Sequence, residues 1–466
     1  MLSSSNTHNC ALRLVTWVQA SSPERAGRAR DSPYVCVIAD LFTPLPSLPK
    51  GSGSQQLMLD AGPMQLDVPL HQLLFEGERS LGFDIALTAD ESARVHLAVH
   101  GRFSLGFLPL ADFPALDFGG ETPTLLHACL APSLHALTLV VSTRAPTRVS
   151  LPDGTRQKHE PGTLVLGFRT GQLSRARHEI EALALSFTQC KALAERAAAA
   201  LELAATAWDE AVTPFVTKLK ELKAEVHKES ELNPSDGAGS VAQELLQLLA
   251  LGVPSLAVHD FLVHQLKEAD LTRALKATTA AAETLLQLCV THLAPSLEML
   301  IHLLGHLHGL SKWPHHFAVT LGLQPKNVLA VLEAAEALRA ACELLLVCSR
   351  RADTGMTGLI AWLIHAVRKL RDEAPPSTDD VPFPDTRTIA AYLSSGRPAD
   401  DLPVDEVGDL FLDLDGTAAA AAALPTDALD ALSTLAPIRR LPKLEAALSA
   451  ALADCFHPIA QVSPWL

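Results

Sequence analysis

Residues 173–208 read LSRARHEIEALALSFTQCKALAERAAAALELAATAW, and the spacing of their apolar positions decides the fold. Leu173, Ala176, Ile180, Leu183, Phe187, Cys190, Ala194, Ala197, Leu201, Ala204 and Trp208 advance by alternating steps of three and four. That rhythm keeps one face of an α-helix apolar along its whole length. Val212, Phe215, Leu219, Leu222 and Val226 carry the stripe onward. At about 1.5 Å per residue the predicted helix is roughly 80 Å long. A stripe this extended needs partner helices beside all of it, so the region predicts a bundle with long members. Pro214 is expected to kink the helix, because proline has no N–H and its ring crowds the preceding turn.

Downstream, Asn233-Pro234-Ser235-Asp236-Gly237 breaks the pattern, and Ser240 with Gln243 forms a capping box for the next helix. Gly252 and Pro254 stop and restart the chain. Asp270 is placed to cap a helix from Leu271 to about Leu310, bent at Pro295. Pro325 suits the first turn of a helix reaching Arg351, with Met356–Arg371 as a separate one. Residues 171–373 are therefore read as a long helical bundle domain. Residues 374–466 read as a linker, short helices and the start of a returning sheet region. There Ala374–Asp385 is Pro/Asp-rich, Thr386–Ser394 helical, Ala399–Glu406 an acidic loop and Leu441–Phe456 the last helix.

Upstream the texture changes. In residues 1–170, Leu12–Trp17, Tyr34–Ile38, Arg94–His100, Phe103–Leu108, Leu125–Leu130, Leu137–Val141 and Thr163–Phe168 are short apolar runs between turn signals. Gly101-Arg102 turns the chain between two of them, which predicts a hairpin, and the regular spacing suggests antiparallel blades or a sandwich. Segments 18–33 and 43–56 are rich in Pro, Ser and Gly and read as loops. The expected class is a multidomain α+β protein: partial antiparallel propeller-like blades, then a mainly α-helical bundle.

Composition narrows the function classes. The chain has 466 residues, 48% hydrophobic and 19% charged, which excludes a disordered chain. Its net charge of −15 would repel phosphate backbones, so nucleic acid is not expected as a partner. Cys10, Cys36, Cys129, Cys190, Cys289, Cys342, Cys348 and Cys455 are scattered, as in a reduced protein with buried thiols. The first twenty residues carry no basic start and apolar core, and no run of about 18 uncharged apolar residues occurs. The reading is soluble and intracellular, with no membrane partner.

Two constellations carry chemical meaning. In Asp409-Leu410-Phe411-Leu412-Asp413-Leu414-Asp415-Gly416-Thr417 an apolar strand precedes Asp-x-Asp-Gly-Thr, similar to the nucleophile loop of haloacid-dehalogenase-like phosphatases. There the first Asp (here Asp413) attacks phosphorus and the second (Asp415) moves the proton. That chemistry also needs a Ser/Thr, a Lys and a magnesium-binding acidic pair on further strands. Only 51 residues follow Asp415; Lys443 has no strand before it and no acidic pair after it. His302 and His306 stand at i and i+4, near His308, His315, His316 and Glu298, at a spacing that metal ligands use. Gly305 and Gly309 favour close helix packing, and histidines also complement a helix C-terminus, so no metal or other cofactor is assigned. Trp208, Trp313 and Trp362 lie on apolar stripes and are expected to anchor the core. No nucleophile elbow and no phosphate-binding Gly loop occurs, so no catalytic residue is assigned and the chain is read as not an enzyme.

An ordered series of segments resembles the family of subunit 4 of the anaphase-promoting complex (cyclosome). It comprises Trp208-Asp209-Glu210 with Pro214 and Lys218, Glu244–Gly252, Phe261–Leu266, Leu271–Ala277, Leu304–Trp313, Leu321–Leu323, Ala341–Leu345 and Leu359–Leu363. The likeness runs from Leu173 to roughly Leu414. It implies a helical domain projecting from a WD-repeat propeller, with Val99–Leu110 and Leu125–Val141 as the last blades before it. The strands before residue 170 suffice for two or three blades, whereas a closed propeller of this kind has about seven. The family's role would make the chain a non-catalytic scaffold of a multisubunit E3 ubiquitin ligase that controls mitotic progression and exit. It would hold the large platform subunits numbered one and five, in the nucleus and cytoplasm. The rival readings are the phosphatase and another propeller-plus-helix scaffold of the coat or nuclear-pore type, which would show helix-hairpin repeats of about 35–40 residues.

Overall fold

The computed structural model describes residues 12–19, 84–110, 113, 115–150, 155–232, 241–371, 385–395 and 436–461. Strands β1 (Leu12–Gln19), β2 (Asp84–Asp90), β3 (Arg94–Val99) and β4 (Phe103–Pro109) form an antiparallel sheet in chain order. Within β5 (Leu116–Asp117), β6 (Thr124–Leu130), β7 (Ala136–Thr143), β8 (Thr147–Ser150), β9 (Arg156–His159) and β10 (Gly162–Arg169), two further sheets form, ordered β10-β7-β6 and β5-β8-β9. His100 and Gly101 both take left-handed backbone (φ 50° and 66°), and the Arg102 N–H returns to the Val99 carbonyl at 3.0 Å. That conformation matches the right-handed twist of the β3–β4 hairpin.

The sheets are open antiparallel layers. β1 lies beside β6, so two sheets meet there. A helix described below packs against β4, the last strand of its sheet. Four of the ten strands among the described residues were not expected from sequence. β2 (DIALTAD) is buried nearly throughout and does not alternate, β5 has two residues, and β8 and β9 have few apolar side chains. Val18 and Gln19, expected to begin a loop, belong to β1. The expected strand Tyr34–Ile38 and the rest of the loops 18–33 and 43–56 lie outside the described residues.

After β10 come α1 (Gly171–Arg175) and α2 (Arg177–Leu232), the latter 56 residues in one helix. The stripe is buried along nearly all of it, with Phe187 and Ala194 half-buried. Pro214 stays within the continuous helix on its exposed side. Next are α3 (Val241–Leu251), α4 (Leu256–Asp260) with the π-turn Phe261–Gln265, and α5 (Glu268–Leu288), π-turn Cys289–Leu293 and α6 (Ala294–Ser311) in one run. The second π-turn lies just before Pro295, whose ring would crowd the carbonyl four residues back in an ordinary α-turn. The chain continues with π-turn Pro314–Ala318, α7 (Val319–Leu321), α8 (Pro325–Leu370), α9 (Thr386–Ser395) and α10 (Ala436–Gln461).

Three helix expectations need correction. α5 starts at Glu268 with Lys267 at its N-cap, so Asp270 lies inside the first turn, where its charge suits the helix dipole. The two helices expected at Pro325–Arg351 and Met356–Arg371 are a single 46-residue helix. Asp353, Thr354 and Gly355 resemble a break in sequence, but the hydroxyls of Thr354 and Thr357 bond back to the Arg350 and Asp353 carbonyls in helical register. α10 begins five residues before and ends five after the predicted Leu441–Phe456. The linker, the acidic loop Ala399–Glu406 and the Asn233–Gly237 break with Ser240 lie outside the described residues.

The core is a bundle of α2, α5–α6, α8 and α10. The run Glu268–Ser311 is long and apolar enough to cross a membrane by composition, but 56% of its apolar window is buried against the other helices. α10 also seats on β4, and there Phe456 of α10 packs on Phe187 of α2 (4.7 Å between ring centroids) and on Phe103 of β4 (6.1 Å). Phe103 and Phe187 are 5.4 Å apart, closing a three-ring joint between sheet and bundle. Edge-on aromatic pairs contribute about 0.5–1.5 kcal/mol beyond burial.

Candidate assembly surface

Among the described residues of the helical region, the corner between α3 and α4 brings together three exposed aliphatic side chains. α3 ends at Leu251, Gly252 takes a left-handed φ of 70°, and its N–H closes on the Leu248 carbonyl at 2.9 Å, the usual helix stop. Pro254 then turns the chain, and α3 and the α4 run meet at 84°. Leu251, Val253 and Leu256 protrude from this corner at 68%, 64% and 70% exposure. No charged residue occurs from Leu245 to Val258.

Long-range polar contacts brace the corner. Ser255 at the α4 N-cap makes no capping bond; the Glu229 carboxylate of α2 instead accepts the Ala257 N–H at 2.9 Å. At the other end, Arg371 after α8 donates to the carbonyls of Val263 (2.7 Å), Leu266 (2.9 Å) and Leu262 (3.4 Å). Anion at the N-terminus and cation at the C-terminus each complement the helix dipole. Nearby, Arg368 clasps Glu268 through Nε (2.9 Å) and Nη2. The corner is thus tied to α2 and α8, and its three aliphatic side chains stand on a rigid mount. Rigid exposed apolar residues are characteristic of protein–protein interfaces.

Inside the bundle, the Arg196 guanidinium on α2 donates to Nδ1 of His292 at 3.0 Å, both groups being buried. Arginine can only donate, so His292 is neutral with its proton on Nε2. Burial first, then the Arg196 charge, holds its pKa down to about 4. Burial pushes the Cys289 and Cys455 thiols up to about 12, so they pack as small apolar groups. Among the described residues, Cys129, Cys190, Cys289, Cys342 and Cys455 are reduced thiols outside any disulfide.

The expected candidates fare differently. Asp413, Asp415 and their neighbours lie outside the described residues. The histidines are not drawn together: among the described residues no three His, Cys, Asp or Glu converge as metal ligands. His306 and His308 are half-buried along α6, while His316 meets Glu179 of α2 at 2.9 Å and ties the π-turn to that helix. Trp208 and Trp362 are core residues, but Trp313 is 51% exposed. It follows the end of α6 in extended backbone, so the stripe that would have buried it has ended, and its ring meets His316 edge-on. Glu229 and Arg371 were not singled out, because their partners are 28 and 105–109 residues away.

The described residues thus form antiparallel sheets joined to a braced bundle of very long helices, with an apolar corner turned outward. Residues 165–373 match the family described as anaphase-promoting complex, cyclosome, subunit 4. Over that segment the chain is similar to the anaphase-promoting complex subunit 4 family. None of the curated proteins compared with the chain matches it.

Proposed function

We propose that the chain is a non-catalytic scaffold subunit of the anaphase-promoting complex, the E3 ubiquitin ligase of mitotic progression and exit. In this reading it works in the nucleus and cytoplasm and holds the large platform subunits one and five, while other subunits transfer ubiquitin. The observation that carries the proposal is the coincidence of the family match, residues 165–373, with a bundle whose helices are 56, 44 and 46 residues long. Such members give rigid surfaces able to bury the more than about 2,000 Å² common in obligate assemblies. The same lengths speak against stacked hairpins of a coat or pore scaffold. The test is affinity purification of the tagged chain from its own cells with mass spectrometry. Near-equal recovery of cullin-like, RING and tetratricopeptide-repeat subunits supports the proposal; a folded, abundant chain recovered alone rejects it.

A further inference from the structure

Along α2, at the margin of its core stripe, runs a narrower seam that faces α10. Ala194, Ala198, Leu201 and Ala205 step by four, three and four, and with Leu452 of α10 they line a groove of about 720 Å³ between the two helices. Alanines let another helix approach closely. Beside this seam Glu195, Glu202 and Asp209 recur at intervals of seven, all exposed, and Glu445 of α10 faces the same space. Lys191 is the single cation of the lining, 3.9 Å from Glu195. Apolar positions at three and four with flanking charges every seventh residue are the pattern by which one helix selects another in a coiled coil. The groove follows α2 from Lys191 to Glu210, about 28 Å at 1.5 Å per residue, or some five helical turns.

We infer that this groove docks an amphipathic helix from a neighbouring subunit, with a small or aliphatic seam flanked by Lys or Arg at heptad spacing. The acidic row selects by sign: basic flanks pair with Glu195, Glu202 and Asp209, and acidic flanks are repelled. The inference rests on the scaffold reading only for the source of the helix; the groove itself is a property of this chain.

The test uses the full chain and a fluorescent 21-residue peptide of three heptads with a Leu/Ala seam and Lys flanks, beside a twin carrying Glu flanks. Fluorescence anisotropy should show binding of the Lys peptide alone. Ala198→Phe, which fills the groove, and Glu202→Lys should each weaken it by on the order of tenfold, the equivalent of about 1.4 kcal/mol. Glu333→Lys, an equal charge change on exposed α8 surface, should alter binding by less than about twofold. Circular dichroism checks the fold of Ala198→Phe; Glu202→Lys, on an exposed side chain, decides the matter if that variant unfolds. Binding of both peptides, of neither, or equal loss in Glu333→Lys overturns the inference. Failed peptide binding with the complex still recovered removes the groove and leaves the scaffold; peptide binding with no complex recovered does the reverse.

Discussion

Glu229 and Arg371 hold opposite ends of the same ten-residue helical run, the carboxylate at the Ala257 N–H and the guanidinium at three carbonyls ending with Leu266. They come from α2 and from the end of α8, so the two longest helices among the described residues are linked through a corner belonging to neither. Removing Arg371 strands the three carbonyls. Arg371→Ala should cost roughly 1.5–3 kcal/mol in denaturant unfolding. It should also speed hydrogen exchange of residues 256–266 ahead of the rest of the bundle. Arg371→Lys should recover part of it, because all three contacts come from the single Nη2 nitrogen and an ammonium also carries three donors on one nitrogen.

The Phe456 joint predicts a coupled effect. Phe456→Ala removes a buried ring touching both the sheet and α2, and should destabilise by about 3–5 kcal/mol. A double-mutant cycle with Phe187→Leu should return a coupling of roughly 0.5–1.5 kcal/mol. A cycle with an exposed residue such as Val165 should return none.

α9 is seated on α8 at two glycines that differ in tolerance. A methyl group on Gly355 would fall 2.7 Å from Cγ of the Tyr392 ring, whereas one on Gly358 meets Ile389 Cγ1 at 3.6 Å, ordinary contact. Gly355→Ala should therefore loosen α9, seen as faster hydrogen exchange over residues 386–395. Gly358→Ala should leave α9 in place and gain up to about 1 kcal/mol from better helix propensity.

His292 makes stability depend on pH in a definite direction. Its folded pKa of about 4 is below the ordinary 6.5, so the unfolded chain binds the extra proton between those values. Its neutral, Arg196-bound form therefore stabilises fully above about pH 6.5, and that contribution falls as pH drops toward 4. One such group changes stability by up to about 1.4 kcal/mol per pH unit within the window. His292→Asn should flatten the slope of unfolding free energy between pH 6.5 and 4 relative to wild type. Burial shifts His100 and His306 the same way, so some slope should remain.

What sequence could show followed from periodicity. The stripe from Leu173 to Val226 is buried almost as its spacing requires, because a long helix repeats one geometric rule many times. Strands without alternation, such as β2 and β9, gave no such signal, and Gly355 resembled a break because the Tyr392 ring that occupies its open side lies 37 residues away. Trp313 was misplaced because its stripe stops one turn too early. The corner could be seen as a Gly/Pro break, but not its bracing, since nothing near Glu229 or Arg371 records partners so distant in sequence. The heptad of Glu195, Glu202 and Asp209 was readable and was overlooked beneath the stronger apolar stripe.

Under the proposed function the chain would hold a ligase together while other subunits perform its chemistry. The most direct test is the size-exclusion profile of the ligase from cells depleted of the chain. The scaffold account predicts that the cullin-like and RING subunits move to smaller assemblies separated from the large platform subunits, and that re-expressed chain restores the large form. A full-sized complex persisting without the chain would contradict it.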